Sequence, residues 1–352
     1  LKGDLYIKGF GDPQLINEQM WRLVNGFRNL PIRKVEGNII ADESYFDDKL
    51  RIDSWKKSFG ARAYNAPIGA LSLNFNTVTV YVSPGSRVGD KPVVVVDPHS
   101  EYIHINNTAT TLASGQRSRL VVNRVGREGF DEVLVTGGFP INEGRGRFFM
   151  NITDPTSYAI KVFKEYLVRN GITVTGDART GVVPPNSTLL LTHESEPLSD
   201  ILRGLNKYSN NFVAEQILKT MAAERYGAPG TTTNGLRVMD EFMKSLSYSP
   251  GQYEIWDGSG LSRQNRVTPD QIVHVLESVY NDWEVYPERQ PGDGPPTVCS
   301  DQHVPEEHHG DHVYDRRFQR LGEHLPLKFG YLSLALLDLV QLLHVLLALG
   351  FV

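Results

Sequence analysis

The apolar positions along the chain change period near residue 150. Before that point, short apolar runs at 5–10, 71–82, 93–96 and 119–125 are separated by Pro, Gly, Asn and Asp, the punctuation of short strands. Within 71–82 the apolar residues fall first on odd positions (Leu71, Leu73, Phe75) and then on even ones (Val78, Val80, Val82). Strand side chains alternate between faces, so this shift predicts a bulge or bend near Asn76 and Thr77. One stretch of this half has helical spacing instead: Met20, Trp21, Val24 and Phe27 within 17–29.

From Asp154 the period is helical. Asp154 can cap, Pro155 suits the first helical position, Tyr158, Val162 and Tyr166 make a stripe, and Gly171 is a stop. A second helix is predicted over 197–207 from Leu198, Ile201, Leu202 and Leu205, and a third over 212–225 from Val213, Ile217, Leu218 and Met221. Residues 209–211 are left as the connector between them. A further helix is predicted over 269–280. Beyond 288 the pattern is lost: 288–327 is rich in Pro, Gly, His, Glu and Arg, and 329–352 is dominated by Leu. No internal repeat is present.

Composition narrows the class. The 352 residues are 40% hydrophobic and 22% charged, an ordinary globular balance with room for two or three domains. A net charge of −5 gives no electrostatic reason to expect nucleic acid, which calls for clustered Lys and Arg. The single cysteine, Cys299, excludes an intrachain disulfide and a multi-thiolate metal site. The chain opens on Leu1, with 2–7 already strand-like and no secretion signal, so the expectation is a start inside a longer protein.

Candidate chemistry centres on Tyr208-Ser209-Asn210-Asn211-Phe212, a Ser-x-Asn on a helix–helix connector. Around it, in order, stand Gly3-Asp4-Leu5-Tyr6 with Gly11-Asp12-Pro13-Gln14-Leu15, then Asp42-Glu43-Ser44-Tyr45-Phe46-Asp47. Tyr64-Asn65-Ala66-Pro67 and Ala70-Leu71-Ser72-Leu73-Asn74-Phe75-Asn76 come next, and Asp257-Gly258-Ser259-Gly260-Leu261-Ser262 with Thr268-Pro269 follows the Ser-x-Asn. Together these resemble the D-alanyl-D-alanine carboxypeptidase/endopeptidases of the low-molecular-mass class C penicillin-binding proteins over roughly residues 1–285, and ordered agreement across such a span is more specific than one short motif.

The resemblance implies an α+β fold: a transpeptidase/β-lactamase-like domain with large β-rich inserted domains, here truncated at the N-terminus and followed by an atypical tail. The expected divisions are 1–60 (remainder of an inserted α/β region), 61–150 (β-rich insert), 151–287 (helical return to the transpeptidase-like domain) and 288–352 (tail, read as frame-shifted or wrongly joined). It also implies an extracytoplasmic, periplasmic serine-type enzyme acting on peptidoglycan peptides, open to β-lactams where the site is intact, with no cofactor. In that scheme Ser209 relays a proton toward the leaving amine and Asn211 donates its amide to the acyl side chain, so both are catalytic candidates and Asn211 also binds substrate; Asn210 points elsewhere.

Two motifs that work beside Ser-x-Asn are missing at their places. The family's Ser-x-x-Lys precedes the Gly-Asp-Leu-Tyr segment, hence Leu1; Ser54-Trp55-Lys56-Lys57 fits the letters but follows that segment, in an expected loop. For Lys-Thr-Gly, Lys219-Thr220-Met221 lies inside a predicted helix, and Arg179-Thr180-Gly181 precedes the Ser-x-Asn. The chain as written is therefore expected to be inactive, and a non-catalytic peptidoglycan-binding or scaffolding relative is the alternative.

Plainer accounts stand beside these. Helix capping alone accounts for a Ser or Asn on such a connector. Ser259 with His274 as base lacks the Gly-x-Ser-x-Gly spacing of a nucleophile elbow, so a tight turn is the better account of 257–260. His303, His308, His309 and His312 with their acidic neighbours have no hydrophobic framework to fix a zinc geometry. As a helix, 329–352 would be about 36 Å long, enough to cross a bilayer, but Asp338, Gln341 and His344 interrupt it and favour a sticky amphipathic segment over an anchor.

Overall fold

The computed structural model describes residues 1–58 and 60–280. Cys299, the histidine group at 303–312, the Leu-rich run at 329–352 and everything expected of 288–352 lie outside the described residues. The chain opens with β1 (Leu5–Lys8), α1 (Asn17–Arg28), β2 (Lys34–Val35) and β3 (Ile39–Asp42). Three short turns of tighter helix, Asp53–Ser58, Ala63–Asn65 and Asn74–Asn76, lead to β4 (Thr77–Ser83), β5 (Val93–Asp97), β6 (Ile103–Asn107), β7 (Thr110–Leu112), β8 (Val121–Arg127), β9 (Phe130–Thr136), β10 (Gly138–Pro140) and β11 (Gly146–Asn151). Then come α2 (Pro155–Arg169), β12 (Thr173–Val174), β13 (Ala178–Thr180), α3 (Leu198–Tyr208), α4 (Asn211–Tyr226), α5 (Thr232–Ser245) and α6 (Pro269–Tyr280).

Two bodies follow from the packing. In the first, β3 lies between β1 and β13, all parallel, with Leu5 opposite Ile39 and Ala178 opposite the same residue. α2 packs on β3, β12 and β13, and α1 packs on α2. The β-rich part adds an antiparallel β11-β4-β5 sheet and a β6-β9-β8 sheet, whose inward Val78, Val80, Val82, Val133 and Val135 share one core with Met20, Val24, Phe27, Tyr158, Val162 and Leu167. The second body is helical: Phe46, Ile52, Trp55, Ile68 and Ala70 pack with residues of α3, α4 and α5. Residues of α2 share the core of 1–42. At the crossing between bodies, the Glu43 carboxylate accepts from the Ala70 and Leu71 amides at 2.7 and 3.0 Å.

Local chemistry accounts for the elements. Asp154 Oδ1 accepts from Ser157 N and Pro155 opens α2, as expected. At its far end Gly171, at φ 81°, lets its own N–H reach Val168 O and that of Ile172 reach Leu167 O, closing the last turn. The bend expected near Asn76 is a left-handed turn: Asn74, Phe75 and Asn76 have φ of 51°, 56° and 52°. Asparagine tolerates that region better than phenylalanine, so Phe75 must be held there by its neighbours. Asn74 exchanges two hydrogen bonds with Asn17, while Asn76 Nδ2 donates to Pro67 O and Ser72 Oγ at 2.8 Å each. The 53–58 segment, expected as loop, is a tight helical turn. α5 was not among the helices expected from the pattern; its Gly235 brings it against α4, where a Cβ would sit 2.4 Å from Leu218 O. No helix among the described residues is long and apolar enough to cross a membrane.

Candidate functional site

α3 ends where Ser209 turns left-handed, at φ 50° and ψ 55°, and this single residue redirects the chain into α4. Capping α4 falls to neither Ser209 nor Asn211. Asn210 does it: its Oδ1 accepts from Phe212 N and Val213 N at 3.1 and 3.3 Å. The plain capping account is thus taken up by the middle residue, and the Ser209 side chain is left exposed on the connector. Asn211 is the first helical residue, and its Nδ2 donates to Tyr64 O at 3.2 Å. The next residue, Phe212, is buried edge-on against Phe75 with ring centres 6.1 Å apart. The strained left-handed turn at 74–76 therefore braces the start of α4.

Behind this connector α4 is buried on all sides, with Phe212 to Lys219 entirely inside. Three of those buried residues are polar, and each grips another segment. Glu215 Oε1 accepts from Gly258 N and Ser259 N at 2.9 Å each. Gln216 Nε2 donates to Gly69 O at 2.8 Å and Ser72 Oγ at 3.0 Å. Lys219 Nζ donates to Asp47 Oδ1 at 2.6 Å and Lys49 O at 2.7 Å. The loop that Glu215 holds is itself centred on a buried carboxylate. Asp257 accepts from Trp55 Nε1, Ser262 N, Gly260 N and Asn265 Nδ2 at 2.6–2.9 Å.

Burial, and after it the charge of Asp257, pushes the Glu215 carboxyl up to about 8, while hydrogen bonds from Ser259 and Gly258 pull the other way. Its Oε2 has no partner among the described residues. At neutral pH Glu215 therefore keeps its proton, which spares the core a second negative charge beside Asp257.

The other candidates fall apart in space. Ser259 is buried, with its hydroxyl against Glu215, and His274 on α6 faces the Tyr248 hydroxyl at 2.9 Å, so 257–260 is the tight turn that its glycines suggest. Ser54 Oγ is buried without a hydrogen-bond partner among the described residues, a poor place for an attacking group. Lys219 lies within α4 and Arg179 on β13, where it meets Asp177 at 3.4 Å. No group of three His, Cys, Asp or Glu side chains among the described residues is arranged to hold a metal ion. Sequence reasoning passed over Glu215, Gln216 and the role of Lys219; three polar residues on the inward side of a helix with no polar face were the available signal.

Residues 1–285 match the family described as D-Ala-D-Ala carboxypeptidase 3 (S13). The chain belongs to this family. Similar curated proteins include the D-alanyl-D-alanine carboxypeptidase of Actinomadura sp. (strain R39), 34% identical over 282 residues, covering 78% of this chain and 52% of that protein. Penicillin-sensitive carboxypeptidase A of Dictyostelium discoideum is 26% identical over 285 residues, covering 78% and 54%. The chain thus spans about half the length of these relatives. Among solved structures, penicillin binding protein 4 from Haemophilus influenzae superposes with a TM-score of 0.70 at 22% identity, covering 80% of this chain and 62% of that one. A second structure of that protein, in complex with a β-lactam, gives 0.65 at 21% identity, covering 81% and 61%. At these identities the likeness speaks for the fold, which is α+β as the family membership leads one to expect.

Proposed function

We propose that this family member serves as a serine-type D-alanyl-D-alanine carboxypeptidase, with endopeptidase action on cross-links, outside the cytoplasm. Its helical body, 43–70 with 198–280, is read as the transpeptidase-like part and the β-rich segments as inserts. The observation that carries this reading is the Ser209–Asn211 connector, where a hydroxyl and an amide flank a residue that takes over the capping duty. A nucleophilic Ser-x-x-Lys, absent from these 352 residues at the matching place, attacks the D-Ala-D-Ala carbonyl and forms an acyl-enzyme; the D-Ala amine leaves with a proton relayed through Ser209, and water then releases the peptide. Asn211 Nδ2, which donates to Tyr64 O, turns to the amide of the substrate's acyl side. The polypeptide as written, without that nucleophile, is expected to be inactive and to take up no β-lactam covalently.

The test is release of D-Ala from a stem pentapeptide by the intact protein. Ser209→Ala should lower turnover by roughly 100-fold, within the usual range for a proton-transferring group. Turnover unchanged in that variant would remove Ser209 from the mechanism. Binding of peptidoglycan by an intact protein without any acylation would favour the non-catalytic, wall-binding alternative.

A further inference from the structure

A cleft of about 840 Å³ lies on the first body and shares no residue with the connector. Its floor is the outward side of α1, the face opposite Met20, Val24 and Phe27: Trp21, Asn25 and Arg28 fall at i, i+4, i+7, and Arg22, Gly26 and Asn29 repeat the spacing one residue on. Arg33, Asn170 and Ile172 form a wall. No acidic side chain lines it. Arg33 is occupied, donating to the carbonyls of Arg28, Leu30 and Ile32 and so covering the negative end of α1. The side chains of Arg22 and Arg28 make no ion pair or hydrogen bond among the described residues, and Trp21 leaves 56% of its surface open.

Gly26 sits within the helix at the base of this cleft. A Cβ there would meet only Leu191, at 3.5 Å, which is ordinary contact. Packing does not demand glycine at a place where it costs the helix about 1 kcal/mol against alanine. Its absent side chain keeps the floor low.

We propose that this cleft binds a carboxylated segment of the peptidoglycan strand, apart from the reacting peptide. The apolar face of a sugar ring packs on the Trp21 indole, the Asn25 and Asn29 amides meet hydroxyls, and carboxylates of the pendant peptides dock on Arg22 and Arg28. A phosphate polymer is disfavoured by the net charge of −5 and by having only two unpaired arginines to meet it. The choice of peptidoglycan over other carboxylated chains rests on the proposed function; the basic, aromatic character of the cleft does not.

The experiment is calorimetric titration of the full chain with a purified disaccharide–tetrapeptide, with the same compound fully amidated, and with neutral chitotetraose. Binding reads the cleft, whereas β-lactam acylation reads the connector, so the two proposals fail separately. The disaccharide–tetrapeptide should bind, with affinity falling as salt rises from about 0.05 to about 0.3 M. Amidation, or the double change Arg22→Ala and Arg28→Ala, should weaken it at least about 10-fold. Trp21→Ala should weaken all three saccharides. Gly26→Ala should weaken binding while leaving the melting temperature equal or higher, an outcome a purely structural glycine would not give. Equal affinity of wild type and the arginine double variant, equal binding of the amidated compound, or no binding by the wild type would each overturn the proposal.

Discussion

α2 and α4 have nearly the same length, 15 and 16 residues, and use it in opposite ways. α2 has an inward stripe of Tyr158, Val162, Phe163 and Leu167 in an apolar core, and its polar side chains Ser157, Lys161, Lys164 and Glu165 are half-buried at its margin. α4 is buried from Phe212 to Lys219 and is exposed only in its last turn, and three of its buried positions, Glu215, Gln216 and Lys219, are polar. Apolar packing is non-directional and holds the inward stripe of α2 through area and shape, with polar contacts only at its margin, where Glu165 accepts from Ser100 Oγ and Glu101 N and Lys164 Nζ donates to Gly176 O. A buried polar side chain is tolerated only when its partners stand in one arrangement, so α4 fixes the places of the 45–49, 69–72 and 257–259 segments around itself. The connector at 209–211 is set at the start of this polar-gripped, buried helix.

Breaking that contrast should have graded effects. Lys219→Met, which strands the Asp47 carboxylate and Lys49 carbonyl, should cost about 3–5 kcal/mol and loosen 45–49 along with α4. Urea denaturation gives the first quantity, and hydrogen exchange at 45–49 the second. Leu167→Ala in α2 should cost about 2–4 kcal/mol through a cavity, with added exchange confined to its own neighbourhood. If both variants loosened only their own helices, α4 would be no different in kind from α2.

Glu215 sharpens the comparison through pH. Its folded-state value is raised from 4.5 to about 8, so the proton is held more tightly folded than unfolded. Its contribution to stability is fully present below the unfolded value and is lost as pH rises through about 8, with a slope of at most about 1.4 kcal/mol per pH unit. Glu215→Gln should remove that part of the slope, so that variant and wild type differ most at about pH 8 and least at about pH 5 in chemical denaturation. Glu43 and Asp131, both raised by burial, bend the curve in the same sense in either protein and drop out of the difference. A constant gap across the range would mean that Glu215 is not titrating. The smallest effect expected is that of Asn210→Ala, about 1 kcal/mol, from the lost cap of α4.

The sequence foretold α2, α3 and the extent of α4 because their signals are local: a cap, a stripe, a stop. It also located the change of face in 71–82, though not that three consecutive left-handed residues produce it. α5 escaped because Thr231 to Thr233 and Gly235 look like a loop, while Val238, Met239 and Met243 carry the helical stripe. What could not be read was the network around α4. Trp55 meets Asp257 from 202 residues away, Lys219 meets Asp47 from 172, and Glu215 holds a loop 43 residues on. No period in the chain encodes such pairs. The connector was legible as a motif, but its division of labour was not: that Asn210 caps the helix, and so leaves its neighbours available, is a matter of one side chain's direction.

The most direct test of the central claim is the rate at which a fluorescent penicillin acylates the intact protein, measured for wild type, Ser209→Ala and Asn211→Ala. The account predicts at least a roughly 10-fold loss of acylation rate in each variant, with unfolding free energies within about 0.5 kcal/mol of wild type because neither side chain is buried. Acylation at the wild-type rate in both variants, or labelling of the 352-residue chain itself that disappears with Ser54→Ala, would contradict it.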